Sequence, residues 1–292
     1  MPDLPRSDDW LIFHGEASPA EARVYVRLRV DKPEAFHRLR GEITGPFSRY
    51  ARTLSATTRF DVAVAGREVL AQRVLPDPCF WTPELPYLYQ VRLTLERAGQ
   101  CIWSDERTFG IRRLGVRGRR LYFEAKNWVL RGAFVEELAD FDWDVWRELD
   151  LAPVVRAPSE AFCAAADLRG VLLGAMTTED EPLDEPLRRW QRHPSVGLIL
   201  VDAATKFDPE LRRLVPNTIV AAEFAAGSRP LPGWADVALW SFAIGGLPAA
   251  QSSPTLAIRR LGRPAQPADL RDGCDFLQRD LAGSQELAGY LV

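Results

Sequence analysis

Phe80-Trp81-Thr82-Pro83-Glu84-Leu85-Pro86-Tyr87-Leu88-Tyr89 opens the stretch that decides the fold, which continues through Val91, Leu93 and Leu95 to Leu121-Tyr122-Phe123 and Val129-Leu130-Arg131-Gly132. Apolar residues two apart from Tyr89 to Leu95 face one side of a strand, so a half-buried strand is predicted there. The same alternation recurs upstream in Ala22 to Val30 and in Arg59 to Val64, between clusters of Gly, Pro and Asp. Short alternating runs punctuated in this way predict an antiparallel β-sandwich, opened by Glu16 to Asp31. Lys32 to Arg52, rich in Arg and Pro, has no clean period and is assigned only loosely, which leaves the number of strands open.

The pattern changes near Leu114. After Arg117, apolar runs of five to seven residues alternate with helical segments, as expected for parallel strands covered by helices. The predicted strands are Val129–Phe134, Ala152–Arg156, Gly170–Ala175, Val196–Val201, Thr218–Ala222, Val237–Phe242, Thr255–Ile258 and Leu287–Val292. Helices are predicted at Phe141–Leu149, Ser159–Leu168, Leu183–Gln191, Pro209–Leu214 and Pro267–Leu281, where Pro or a Ser/Asp cap suits the first turn. Eight units in roughly 170 residues fall short of the usual ~250 for such barrels, so loops and outer helices are trimmed and no closing helix is expected. The domain plan is a tail at 1–15, a sandwich at 16–114 and a barrel-like domain at 115–292.

Composition bounds the function. The chain has 292 residues, 47% hydrophobic, enough for packed cores in two ordinary domains. With 37 basic and 40 acidic residues the net charge is -3, which gives no reason to expect nucleic acid or a membrane as partner. Met1 to Asp9 lacks the basic start and apolar core of a secretory signal, and no stretch is apolar for long enough to span a bilayer, so a cytoplasmic protein is expected. Cys79, Cys101, Cys163 and Cys274 are scattered without zinc-ligand spacing and read as free thiols. Neither a metal nor a cofactor is expected.

The run from Asp105-Glu106-Arg107-Thr108-Phe109-Gly110-Ile111-Arg112 through Leu121-Tyr122-Phe123 to Val129-Leu130-Arg131-Gly132 resembles the junction between the immunoglobulin-like domain and the barrel of glycoside hydrolase family 2. Further pieces are similar: Pro158, Glu160, Ala161, Phe162, then Asp167, Gly170 and Val171 around the third strand; His193-Pro194-Ser195-Val196 leading into the fourth; Pro254 through Gly262 at the seventh; and Ala288-Gly289-Tyr290 at the eighth. The resemblance covers most of residues 20 to 292. It implies an immunoglobulin-like sandwich followed by a reduced (β/α)8 barrel. The jelly-roll domain that commonly precedes the sandwich in the family is not among these residues.

Members of the family hydrolyse β-linked sugars with two carboxyl groups about 5 to 5.5 Å apart, one protonating the leaving oxygen and one attacking the anomeric carbon. The resemblance places the acid/base, which follows an Asn after the fourth strand, on Ala204 of Ala203-Ala204. It places the nucleophile's Glu-aromatic-Gly step on Arg260-Leu261-Gly262, beside Arg259. Neither alanine nor arginine can transfer the proton or form the glycosyl ester. The family's Asn and His-Glu after the first strand correspond to Phe134 and Glu136-Glu137. Its Arg-Thr-Ser-His-Tyr-Pro after the second strand shrinks to Arg156-Ala157-Pro158.

Substitute carboxylates are Asp202 and Glu223, which a wider-spaced inverting mechanism would use; Glu179-Asp180-Glu181 reads as a solvated loop. Candidate sugar-binding residues are Glu136, Glu137, Arg156 and Trp240, with Trp234 as a second stacking platform. Trp143, Trp146 and Trp190 read as core, and His193 as structural. His14 and His37 lie in the sandwich with no triad. Two functions compete: a non-catalytic relative that binds carbohydrate or assembles with another protein or a second copy of itself, and a diverged glycosidase acting through Asp202 or Glu223.

Overall fold

The computed structural model describes residues 5, 9–29, 38–65, 68–136, 141–178, 181–224, 231–241, 253–260, 266–282 and 286–292. The chain forms two compact units, one of Met1–Arg112 with Arg192–Pro194 and the other of Arg113–Gln191 with Ser195–Val292.

The first unit is a sandwich of two four-stranded antiparallel sheets. One sheet orders β1 (Trp10–Ala17), β2 (Glu21–Arg29), β6 (Glu68–Pro76) and β5 (Asp61–Ala65); the other orders β4 (Ala56–Arg59), β3 (Arg38–Phe47), β7 (Leu88–Arg97) and β8 (Gln100–Phe109). Alternation explains the burial: Val24, Val26 and Leu28 are fully buried, Tyr25 and Arg27 between them are partly exposed, and Arg23 and Arg29 on either side are exposed. They meet Ile43, Val91, Leu93 and Leu95 of the other sheet in one core.

Two expectations are corrected in this unit. The predicted tail contains strand β1, because Trp10 and Ile12 alternate into the core, where they are 2% and 6% exposed. The single run Arg59–Val64 is two strands in different sheets: the Phe60 N–H still donates to Gly41 O of β3 at 2.9 Å, and from Asp61 the chain pairs with β6 in the other sheet.

The second unit begins with a three-stranded meander, β9 (Leu114–Arg117), β10 (Arg120–Phe123) and β11 (Lys126–Trp128). Eight parallel strands then close into a barrel: β12 (Leu130–Val135), β13 (Ala152–Arg156), β14 (Leu173–Met176), β15 (Val196–Asp202), β16 (Ile219–Phe224), β17 (Val237–Ser241), β18 (Thr255–Ile258) and β19 (Gly289–Leu291). All eight predicted strands are present. The third is shorter than expected because Gly170 ends the preceding helix in the left-handed region, φ 71°, so the strand starts only at Leu173.

The helices are α1 (Trp143–Glu148), α2 (Glu160–Arg169), α3 (Asp184–Trp190), α4 (Pro209–Arg212) and α5 (Pro267–Leu281). Local chemistry fixes their starts. Asp142 accepts from Asp144 and Val145 N–H, Ser159 from Phe162 N–H, and Asp208 from Leu211 N–H. Helix α5 buries Leu270, Cys274, Leu277 and Leu281, a stripe at helical spacing.

That helix is also fastened to the first and the last barrel strands. Arg131 on the first barrel strand pairs with Asp275 at 2.8 Å and donates to Gln278 Oε1 at 2.9 Å, while Cys274 S–H donates to Gly132 O at 3.3 Å. One helix therefore spans the joint where the last strand meets the first. Two glycines allow that joint to close: a Cβ on Gly289 would lie 2.6 Å from Leu130 O, and one on Gly132 would lie 2.8 Å from Leu291 Cδ2. At the N-terminal end of the strands the meander plugs the barrel. Leu114, Leu121 and Trp128 line an apolar cavity there with Leu130, Ile219 and Leu291. No helix among the described residues is long and apolar enough to cross a membrane.

Candidate functional site at the barrel mouth

Parity along the parallel strands decides which side chains reach the barrel axis. Leu130 and Leu291 line the interior cavity. The same parity carries Phe134 on β12, Arg156 on β13, Asp202 on β15, Glu223 on β16 and Arg260, two residues past β18, to the carboxyl end of the strands. Asp202 and Glu223 are register partners on neighbouring strands.

Arg260 organises this end. Its Nη2 donates to Glu223 Oε1 at 2.9 Å, and its guanidinium carbon lies 4.0 Å from the centre of the Phe134 ring. Glu223 sits on β16 and Phe134 on β12, each two strands from β18 and on opposite sides of it. An arginine that reaches both stands over the middle of the mouth. Beneath it the inner layer is apolar, with Leu200, Leu239 and Ile258 at most 2% exposed.

Asp202 is engaged otherwise. Its Oδ1 accepts the Ala204 N–H at 2.7 Å, and its carbonyl accepts Thr205 N–H at 3.0 Å, so it closes the turn after the fourth strand. Ala203 donates its N–H to Glu223 O at 2.9 Å, tying that turn to the neighbouring strand. The two substitute carboxylates thus sit on adjacent strands with different duties.

The remaining predicted site residues separate. Glu136 and Arg156 are exposed at the ends of the first and second barrel strands. Glu137, Glu179, Asp180, Leu261, Gly262 and His37 lie outside the described residues. Glu181 pairs with Arg189 at 3.6 Å.

Trp240 does not join the mouth, which corrects its assignment as a sugar platform there. It has the opposite parity from Leu239, faces the outside of the barrel and packs with Ala222, Phe224 and Ala238 at 8% exposure. Trp234 packs against that group and stacks on Phe207 with ring centres 4.8 Å apart. What the sequence reading missed is the role of Phe134 and the partnership of Arg260 with Glu223. All three residues share the inward phase of their strands, which is legible only once the barrel has closed.

Among the described residues no group of three or more His, Cys, Asp or Glu side chains could hold a metal ion. Cys163 and Cys274 are buried, and burial pushes their thiols up to about 12 and about 11. Neither is a nucleophile at neutral pH.

Residues 11–112 match the family model described as "Glycosyl hydrolases family 2". The match falls on the sandwich. A glycosyl hydrolase family 2 member from Bacteroides cellulosilyticus superposes with a TM-score of 0.65 at 16% identity, covering 98% of this chain and 45% of that one. The β-glucuronidase of Parabacteroides merdae gives 0.60 at 14% identity, covering 97% and 46%. A structure described as a putative β-galactosidase from Bacteroides fragilis gives 0.53 at 17%, covering 94% and 45%. The chain spans less than half the length of these solved structures, and at identities this low the superpositions show a shared fold and nothing finer. No curated protein matches the sequence. The family resemblance read from the junction, and the sandwich-plus-barrel class it implied, hold.

Proposed function

We propose that this glycoside hydrolase family 2-like protein does not hydrolyse glycosides and keeps the scaffold for carbohydrate recognition or for assembly with another protein. The observation that carries the reading is the bridge from Arg260 to Glu223. By resemblance, Arg260 takes the place of the attacking carboxylate and Ala204 that of the proton donor. A guanidinium cannot attack an anomeric carbon, and a methyl group cannot deliver a proton. The bridge further commits Glu223, and the turn commits Asp202 Oδ1. A cytoplasmic setting fits the four free thiols.

A second reading has one observation in its favour: Asp202 and Glu223 occupy paired positions at the end of adjacent strands, the side of the barrel where such folds place their chemistry. It makes the chain a diverged glycosidase with non-standard carboxylates. Aryl β-glucuronides and β-galactosides, the substrate types suggested by the neighbours' descriptions, decide between the two. We expect no turnover above that of a heat-denatured control. Robust turnover that disappears in Asp202→Ala would sink the non-catalytic reading, whereas a saturable rise in melting temperature with a sugar, without turnover, supports it.

A further inference from the structure

We propose that the mouth of the barrel is a binding site for an organic cation, a guanidinium or primary-amine group, which the chain fills with its own Arg260. The inference goes beyond the reading above and does not depend on it. Two recognition elements of different chemistry converge on one point. The face of Phe134 lies 4.0 Å from the guanidinium carbon, and a carboxylate oxygen of Glu223 lies 2.9 Å from Nη2. An aromatic face attracts a cation through its quadrupole, and a carboxylate accepts charged N–H donors. Together they select a positive group whose flank is apolar, and they discriminate against a small hydrated metal ion.

The surroundings strengthen that selection. Leu200, Leu239 and Ile258 beneath the pair are buried and apolar, so one side of the cation is shielded from water. The two contacts come from strands on opposite sides of β18, so the occupant is centred in the barrel. Arg260 itself remains displaceable: its side chain is 48% exposed and that of Glu223 is 26% exposed. An external amine competes with a tethered ligand whose effective concentration is high, so the chain sets a threshold that only an abundant or multiply contacting cation passes. The exchange breaks and forms only non-covalent contacts.

The test uses the full chain and methylguanidinium chloride as probe, with sodium chloride at equal ionic strength as control. In Arg260→Ala the vacated place should bind the probe, seen as a saturable rise in melting temperature beyond the salt control, and at several-fold lower probe concentration than in the wild type. Adding Glu223→Gln should abolish the rise, and adding Phe134→Leu should weaken binding roughly tenfold. No saturable rise in Arg260→Ala, or a rise that survives Glu223→Gln, overturns the proposal. The wild type supplies a readout independent of any variant's folding. Titration with the probe should move the Arg260 Nε–Hε resonance saturably, and a resonance that stays fixed while the protein is saturated with probe equally overturns it.

Discussion

Arg260 touches an aromatic ring and a carboxylate at once, yet its exposure keeps each contact modest. Half-exposed ion pairs contribute about 0 to 1 kcal/mol, so Glu223→Gln should lower stability by no more than ~1 kcal/mol in urea unfolding. A larger loss would mean that the bridge is screened from water. His14 behaves differently. Burial, with the nearby Arg112 charge, lowers its pKa from 6.5 to about 4, against the smaller opposing effect of its hydrogen bond to the Gly15 carbonyl. The unfolded chain therefore binds a proton that the native chain refuses between those values. The stability tied to neutral His14 is complete above about pH 6.5 and falls as the pH drops towards 4. Comparing urea midpoints at pH 7 and pH 5, His14→Gln should lose less stability on acidification than the wild type does. Equal losses would remove His14 from the account. The thiols offer a further check. Cys101, exposed, should react with a maleimide-class reagent in the native protein, while Cys163 and Cys274, at 0% exposure and with raised pKa values, should react only after unfolding.

Elements were legible where local chemistry and tertiary packing agree. Helix α5 spans Pro267 to Leu281 as predicted, since Pro at its first turn, the Asp269 carboxylate accepting Gln266 N–H, and the Leu270, Cys274, Leu277, Leu281 stripe all favour one helix. Removing the N-cap of α2 with Ser159→Ala should cost about 1 kcal/mol, read from the urea midpoint. Elements were misjudged where a local pattern continues through a change of partner. Arg59 to Val64 alternates without a break, yet Phe60 hands the chain from one sheet to the other, and alternation carries no record of which sheet a strand joins. Strand β1 was lost because Trp10-Leu11-Ile12-Phe13 is apolar on both faces; Leu11 is 5% exposed and Phe13 stacks on Tyr25 at 5.2 Å. Such a run has no period to detect.

For the whole molecule, eight apolar runs were enough to predict eight barrel strands, because a parallel strand buried on both faces must be apolar throughout. The mouth was less readable for the same reason. In a continuously apolar strand nothing marks the inward phase, so Trp240 reads as a sugar-stacking candidate although it packs outside. The charges that end three strands, Asp202, Glu223 and Arg260, could be located but not paired, since pairing across a barrel depends on closure. The meander that seals the opposite end carries stability: Leu121 is fully buried above the interior, and Leu121→Ala should cost about 2 to 5 kcal/mol in urea unfolding. A loss below 1 kcal/mol would mean that the barrel does not rely on its plug. The joint fastened by α5 also bears on synthesis. One edge each of β12 and β18 stays unpaired until Gly289 to Leu291 leave the ribosome, so the nascent barrel keeps a sticky, ladder-ready border that invites chaperone capture until its keystone arrives.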